Sequence, residues 1–273
     1  MSSTSAAAVN EGSYRIDDLV KLIERREKEI ADGVLPTMSH QHMEETEVAL
    51  LDGTVVFGKQ DRQVAETGGA VWDGALVLAE FFAANIDLLF HSGRKGKRSH
   101  IDLGSGTGFL GAALACLQTR HEEKEEKEKE EKRIHVVVSD NAPNVELMHA
   151  TLVRNKVAEC GLSVAYPWGE EIGEASPLKP LLPFDIILGS DLVYNPDSMP
   201  ELFRSLDMLS GPHTQIFLSW NEHFRYVDDG FLELHSGSTF SLEYVFGPAP
   251  TAPIPPGGPR ISPMRIVKLT RSA

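Results

Sequence analysis

Short apolar runs alternate with stretches of helical periodicity from residue 100 onwards. Such alternation builds βαβ units, in which consecutive strands lie parallel and helices cover the sheet. The helical stretches are predicted over residues 108–119, 144–160 and 198–209. We therefore predict an α/β fold with one seven-stranded sheet and helices on both of its faces. The predicted strands are His100–Leu103, Ile134–Ser139, Leu162–Ala165, Phe184–Gly189, Thr214–Trp220, Phe240–Phe246 and Arg265–Thr270.

The link between the last two predicted strands differs from the others. It is rich in proline and glycine (GPAPTAPIPPGGP) and contains no helix of useful length. Such a segment is typical of a long hairpin loop rather than of a crossover between parallel strands. We therefore expect the final strand to enter the sheet antiparallel.

An N-terminal extension, residues 1–45, precedes the main domain, which we place at residues 46–273. Within the extension, residues 14–31 are predicted to form an amphipathic helix that Gly33 and Pro36 end. We expect it to pack on the main domain as an accessory helix. Its apolar residues fall on one helical face: Ile16, Leu19, Val20 and Ile23.

Three further segments of the main domain have clear patterns. The Asp52-Gly53 pair between two apolar runs predicts a β-hairpin over residues 46–60. A mostly buried helix is predicted from Asp73 to Phe90. Residues 121–133 (HEEKEEKEKEEKR) have no apolar face. This charged insert is either a solvated extension of the preceding helix or a disordered segment.

The charge balance argues against nucleic acid as a partner. The 273 residues include 26 Lys and Arg against 40 Asp and Glu, which gives a formal net charge of −14. Phosphate backbones repel so acidic a chain. The charge suits a basic partner such as a lysine-rich protein, but it is equally consistent with a protein that is acidic only for solubility.

The cysteines and the N-terminal residues indicate the cellular compartment in which we expect the protein. Two cysteines, Cys116 and Cys160, allow neither a disulfide scaffold nor a four-cysteine zinc site. The first ten residues lack the pattern of a secretory signal, and no run of about 18 apolar residues predicts a membrane span. We expect a cytoplasmic monomer, with nuclear entry left open. His40 and His42 are the only histidines with metal-like spacing, and we predict no metal site there.

The sharpest motif is IDLGSGTGFLG at residues 101–111, where a strand leads through a glycine-rich turn into a helix. This geometry binds a cofactor at a helix N-terminus of a Rossmann-like sheet. A nicotinamide dinucleotide fits poorly, because GxGxxG fails from Gly104 and fits from Gly106 only two residues too late. The carboxylate of Asp102 would also repel a pyrophosphate. It suits the ammonium group of S-adenosylmethionine, which carries no phosphate.

An acid follows the second strand at Asp140. A carboxylate about 20 residues beyond the glycines accepts the ribose hydroxyls of a nucleotide-like cofactor. The observed separation exceeds that value, but the charged insert accounts for the excess. The alternative is that Asp140 only caps the next helix.

The fourth strand ends in GSDLVYNP and delivers Ser190, Asp191 and Tyr194 to the carboxyl edge of the sheet. An acid and a phenol three residues apart can hold and orient an amine. The alternative makes Asp191 a turn residue and Tyr194 part of the core. Trp72, before a helix, and Trp168, after the third strand, could line an adenine or methionine pocket or serve only structure.

Together these motifs resemble the class I, seven-strand protein-lysine methyltransferases of the family 16 group, from about residue 46 to residue 270. The resemblance implies a Rossmann-like fold and protein-lysine N-methylation with S-adenosyl-L-methionine. It implies an acceptor motif of Asp191 and Tyr194. It also implies a cofactor site of Trp72, Gly104, Ser105, Gly106, Asp140, Trp168 and Ser190. The matching stretches are VWDGALVLAEFF, DLGSGTG, SD, YPWG, GSDLVY and FRYVDDGF.

The departures from the family pattern are the charged insert, the N-terminal helix and the long proline-rich loop, which leave the substrate open. Enzymes that methylate nucleic-acid bases typically carry acid-Pro-Pro-aromatic after the fourth strand. Here Leu192 and Val193 replace the prolines. Two alternatives remain at this point: N-methylation of a small amine, and a non-catalytic binding module on the same fold. An oxidoreductase is the least consistent with the motifs.

Overall fold

A computed structural model describes residues 14–17, 19–21, 44–90, 98–125, 135–221, 225–247 and 264–272. The strands are β1 Glu45–Ala49, β2 Val55–Lys59, β3 Ser99–Leu103, β4 His135–Asp140, β5 Gly161–Ala165, β6 Ile186–Ser190, β7 Gln215–Asn221, β8 Phe240–Phe246 and β9 Met264–Arg271. The helices are α1 Arg62–Ala65, α2 Asp73–Ala84, α3 Phe109–Glu125, α4 Val145–Arg154, α5 Met199–Leu209 and α6 Arg225–Ser236.

Seven of these strands form one sheet in the order β5-β4-β3-β6-β7-β9-β8. The first five pair in parallel, as the alternation of strands and helices predicts. β9 runs antiparallel to both β7 and β8, which confirms the predicted direction of the last strand. The strand order reverses between β3 and β6, beside the carboxyl end of β3. In open α/β sheets ligands bind at this switch point.

The central strands are apolar throughout because helices cover both faces of the sheet. Alternate residues of β4 belong to two separate cores. One core joins Val136 and Val138 to α2, α3 and α4. The other joins Ile101 and Val137 to α5 and α6. Both predicted helical layers are therefore present.

The predicted hairpin is formed by β1 and β2, and Gly53 takes a left-handed φ of +83° in its turn. The turn is fastened to the core because the Leu51 N–H donates to Glu80 Oε2 on α2 at 2.8 Å. The start of the predicted N-terminal helix packs nearby. Leu19 is fully buried, and the Tyr14 ring lies 5.5 Å from that of Phe81. Most of that predicted helix lies outside the described residues.

Two predicted helices end earlier than expected. The helix predicted to reach residue 160 stops at Arg154, because Asn155 caps it and Lys156 takes a left-handed φ of +60°. The helix predicted to reach Phe90 ends at Ala84 and is followed by a separate 3₁₀ turn, Ile86–Leu89. In both cases apolar residues beyond the helix still pack on the core, so their pattern resembles a continuous helix.

Within the described residues, the charged insert continues α3 as far as Glu125. The rest of the insert, the proline-rich link and the His40 and His42 pair lie outside the described residues. None of the helices in the described ranges combines the length and apolar character that a bilayer crossing requires.

Candidate active site

The glycine-rich turn after β3 takes a conformation that side chains disfavour. Gly104, Gly106 and Gly108 have φ of +63°, +53° and +77°. A Cβ on Gly106 would lie 2.6 Å from the carbonyl oxygen of Gly68. The turn is held in place because the Ser105 N–H donates to Ser139 O at 2.9 Å. The motif therefore needs its glycines both for backbone conformation and for close packing.

Asp102 lies beneath this turn, fully buried on β3. Its Oδ2 accepts the N–H of Gly111, in the first turn of α3, at 2.9 Å. Burial raises the pKa of Asp102 to about 8, against the opposing effect of the Gly111 hydrogen bond. Asp102 is the one predicted site residue that does not line the cavity described below. Its Oδ2 points at the helix, whereas its Oδ1 has no hydrogen-bond partner among the described residues, so the cofactor contact expected for Asp102 stays a prediction.

Asp140, at the end of β4, closes the turn from the other side. Its Oδ2 accepts the N–H of Gly106 at 2.8 Å, and its Oδ1 accepts the N–H of Asn141 at 2.6 Å. The carboxylate lines the cavity directly beside the glycine turn. Asp140 therefore lies where the sequence predicts it. Its carboxylate contacts Gly106 and Asn141 and does not cap the next helix, whose N-cap residue is Asn141.

Both predicted tryptophans form walls of the same cavity. The Trp72 indole is fixed because its Nε1 donates to Thr67 O at 2.9 Å. Trp168 lies over the glycine turn, since a Cβ on Gly104 would be 2.9 Å from Trp168 Cζ2. Two aromatic side chains therefore line the same cavity as the glycine turn.

Ser190, Asp191 and Tyr194 occupy the carboxyl end of β6, as predicted. Asp191 takes a left-handed φ of +53°, which Asp tolerates better than most residues. Its Oδ2 accepts the N–H of Gly74, at the start of α2, at 2.7 Å. Burial raises the pKa of Asp191 to about 7, and Asp73 adds to the rise. The N–H groups of Gly74 and Asn221 oppose it.

Tyr194 lies at the cavity rim and is 49% exposed. Burial of its inner part, together with the charge of Asp140, raises the pKa of Tyr194. The phenol therefore stays protonated near neutral pH and can donate a hydrogen bond. Leu192 and Val193 between the acid and the phenol are buried and anchor the loop in the core.

One cavity of about 1020 Å³ joins all these groups. Four carboxylates line it, those of Asp140, Asp191, Asp197 and Glu201, and its described lining includes no lysine, arginine or histidine. A cavity with this lining favours a positively charged ligand. Among the described residues, no group of three or more His, Cys, Asp or Glu side chains is placed to hold a metal ion.

Several lining residues were not predicted from the sequence. Thr67 and Gly68 lie in a turn between α1 and α2 and line one side of the cavity. In the sequence, only the glycine pair at 68 and 69 indicated a turn there. Asn144, Asp197 and Glu201 come from the segments after β4 and β6. Asn195 caps the short helical turn that carries Asp197, because Asn195 Oδ1 accepts the N–H of Asp197 at 3.1 Å.

The family model described as "Lysine methyltransferase" matches residues 52–237, about two thirds of the chain. This chain belongs to the lysine methyltransferase family. Membership makes it an S-adenosylmethionine-dependent methyltransferase, which agrees with the resemblance noted in the sequence.

Three curated relatives support this assignment. Protein N-lysine methyltransferase METTL21A of Danio rerio is 30% identical over 218 residues, which cover 78% of this chain and 87% of the relative. The Xenopus tropicalis METTL21A is 31% identical and covers 64% and 70% of the two chains. EEF1A lysine methyltransferase 3 of Xenopus tropicalis is 34% identical and covers 55% of each.

Proposed function

We propose that this lysine methyltransferase binds S-adenosylmethionine in the 1020 Å³ cavity and methylates the side-chain amine of a lysine in a protein. One observation carries the proposal. A single cavity brings the glycine turn, Asp140 and both tryptophans together with Asp191 and Tyr194. The groups suited to a nucleoside and those suited to an amine are thus adjacent.

The lining fits the cofactor in shape and charge. Gly104 and Gly106 let a ligand approach their backbone, where a Cβ would instead meet Trp168 or Gly68. Asp140 can accept the two ribose hydroxyls, and the rings of Trp72 and Trp168 offer stacking surfaces. The four carboxylates suit a ligand that carries a sulfonium and an ammonium group. When bound, S-adenosylmethionine supplies an electrophilic methyl group on a positively charged sulfur.

Asp191 and Tyr194 would hold the acceptor amine. A lysine amine has an ordinary pKa of about 10.4 and must be neutral to act as a nucleophile. The Asp191 carboxylate can accept one N–H of that amine and the phenol oxygen of Tyr194 can accept another, which leaves the nitrogen lone pair free to attack the methyl group. Holding the nitrogen in line with the methyl group supplies most of the rate enhancement. Asp191 or water then takes the proton that the methylated amine releases.

The open rim favours a protein lysine over a small amine. Tyr194 is half exposed at the edge of the cavity, so a long side chain can reach Asp191 from a partner's surface. Curated relatives in two vertebrates are named protein N-lysine methyltransferases, and one further relative is named for EEF1A. We propose EEF1A as the first acceptor to test. That the enzyme is a cytoplasmic monomer stays a prediction from the sequence.

The test is transfer of a tritiated methyl group from S-adenosylmethionine to purified EEF1A and to a cell extract. Asp191→Asn is the control variant, because Asn tolerates the left-handed backbone and keeps an acceptor for the Gly74 N–H. A labelled protein that disappears with this variant supports the proposal. Label found only in small molecules would contradict it in favour of a small-amine substrate. No label, with tight cofactor binding by calorimetry, would favour a non-catalytic module.

Gly106→Arg tests the cofactor site separately. The added side chain would meet the Gly68 carbonyl and fill the turn, so calorimetry should detect no S-adenosylhomocysteine binding. Asp191→Asn should bind it within a few-fold of the wild type. Loss of binding in both variants would make Asp191 a cofactor residue rather than an acceptor residue.

A further inference from the structure

Ser219 is a polar residue in the buried run Ile216–Trp220 of β7. Its side chain is 1% exposed, and a buried hydroxyl requires a hydrogen-bond partner. The Ser219 Oγ donates to the carbonyl oxygen of Gly74 at 2.9 Å. A strand residue thus fixes the first turn of α2, although the two lie far apart in the sequence.

The same residue also holds Asp191 through its backbone. The N–H of Asp191 donates to the carbonyl oxygen of Ser219 at 2.7 Å. The N–H of Gly74 in turn donates to Asp191 Oδ2 at 2.7 Å. Three hydrogen bonds therefore connect Ser219, Gly74 and Asp191 in a closed triangle. Ser219 is not among the residues that line the cavity.

We propose that Ser219 is a positioning residue for methyl transfer, whose hydroxyl keeps the Gly74 N–H aimed at the carboxylate of Asp191. The inference rests on the proposed function, in which Asp191 holds the acceptor amine. Without the hydroxyl, the first turn of α2 loses its anchor on β7 and can move away from the end of β6. The Gly74 N–H then no longer fixes the direction of the carboxylate.

The triangle also controls the charge of Asp191. The Gly74 and Asn221 N–H groups stabilise the ionised carboxylate and lower its pKa, whereas burial and Asp73 on α2 raise it. Tyr194, on the same loop as Asp191, is neutral near pH 7 because burial and the charge of Asp140 raise its pKa, and Ser219 of β7 carries no charge. Weakening the Gly74 hydrogen bond removes one of the two stabilising contacts. The pKa of Asp191 should therefore rise in a variant that lacks the Ser219 hydroxyl.

The test is the titration of Asp191 by carbon NMR in protein labelled with ¹³C-aspartate, with the signal assigned by Asp191→Asn. In Ser219→Ala we expect the titration midpoint to move upward from about 7 by at least about half a pH unit. At pH 7 we expect methyl transfer into the cell extract to fall at least tenfold, with S-adenosylhomocysteine affinity unchanged. Ser219→Thr, which keeps the hydroxyl, should restore both properties.

Ser99→Ala is the matched control. Ser99 is also a buried strand serine, and its Oγ donates to Leu181 O at 2.9 Å, but it lies at the amino end of β3. Both alanine variants should lower the melting temperature similarly, whereas only Ser219→Ala should move the titration. An unmoved midpoint with transfer within twofold of wild type would overturn the inference, as would equal effects of Ser99→Ala. If Ser219→Ala does not fold, Ser219→Cys, a weak donor of similar size, takes its place.

The titration needs no acceptor protein, so this inference and the proposed function can fail separately. A wild type that transfers no methyl group to any protein would contradict the proposed function. A wild type that is active while Ser219→Ala titrates and reacts normally would contradict only the role of Ser219.

Discussion

The carboxylate of Asp191 accepts a 2.7 Å hydrogen bond from the N–H of Gly74, a residue 117 positions earlier in the chain. This contact joins the end of β6 to the first turn of α2. The N–H groups at a helix N-terminus favour a negative charge, so the contact both orients the carboxylate and stabilises its ionised form. A side chain at position 74 would collide with this carboxylate, which explains why a glycine follows Trp72 and Asp73 in the VWDG stretch.

Gly74→Ala should remove activity while leaving the fold in place. A Cβ on Gly74 would collide with the carboxylate of Asp191 and push it away from the amine. We expect a loss of at least about a hundredfold in kcat, the scale on which misplacement of a positioned group acts. Cofactor affinity, measured by calorimetry, should change less than threefold.

Gly173→Ala is the control for this variant, because a Cβ at that exposed glycine meets no atom within 4 Å. It should retain full activity. If Gly74→Ala is equally active, the carboxylate does not need its present position, and the proposed role of Asp191 is wrong.

The pH profile should show two ionisations. Below a pH of about 7, both Asp191 and the acceptor lysine must lose a proton, so log kcat/KM should rise with a slope of two. Between about 7 and about 10 only the lysine titrates, and the slope should fall to one. Initial rates at limiting acceptor, measured from pH 5.5 to 9.5, test this. A slope of one throughout would mean that the charge of Asp191 is not required.

The raised pKa of Asp191 also affects stability, with a definite sign. The pKa is higher in the folded than in the unfolded chain, so protonated Asp191 stabilises the fold at low pH. That contribution is lost as the pH rises through about 7. Asp191→Asn should therefore gain stability relative to the wild type between pH 4 and pH 8, which urea unfolding at a series of pH values can measure. A constant difference would contradict the shift.

Much of this site follows from local sequence patterns. Buried parallel strands are continuous apolar runs, and ligand-binding residues follow directly at their carboxyl ends, so Gly104, Asp140 and Asp191 could be placed from the sequence. The contact between Gly74 and Asp191 could not, because it depends on how α2 packs against the sheet. The direction of Asp102 has the same origin, since a strand residue can face either a ligand or a covering helix.

Asp102→Asn should show whether the Asp102 side chain contacts the cofactor or only the covering helix α3. The pKa of Asp102 is raised to about 8, so at pH 7 its carboxyl is mainly neutral and an amide is a close replacement. The Asn oxygen can still accept the Gly111 N–H, and S-adenosylhomocysteine affinity should stay within about threefold. Asp102→Ala should lower the free energy of unfolding by about 1–3 kcal/mol, because it leaves that N–H unpaired. A tenfold loss of affinity in Asp102→Asn alone would instead indicate direct contact with the ammonium group.

The buried ion pair of Asp228 and Arg265 joins α6 to the start of β9, which pairs with the carboxyl end of β7. Arg265 Nη1 lies 2.7 Å from Asp228 Oδ2, and Trp220 Nε1 donates to Asp228 Oδ1 at 2.8 Å. Both charged side chains are almost completely buried, so removing Asp228 takes a charged partner at 2.7 Å away from a guanidinium that water cannot reach. Asp228→Ala should therefore lower the free energy of unfolding by about 3–5 kcal/mol, measured by urea denaturation.

The double variant Asp228→Leu with Arg265→Met removes both charges together and should recover most of that loss, because two desolvated ions are replaced by apolar side chains of similar volume. If the double variant is as unstable as Asp228→Ala, the hydrogen bond from Trp220 rather than the charge pairing holds α6 in place. A variant with Trp220→Phe would then show the same loss, because it removes the indole N–H while keeping an aromatic ring against Phe231.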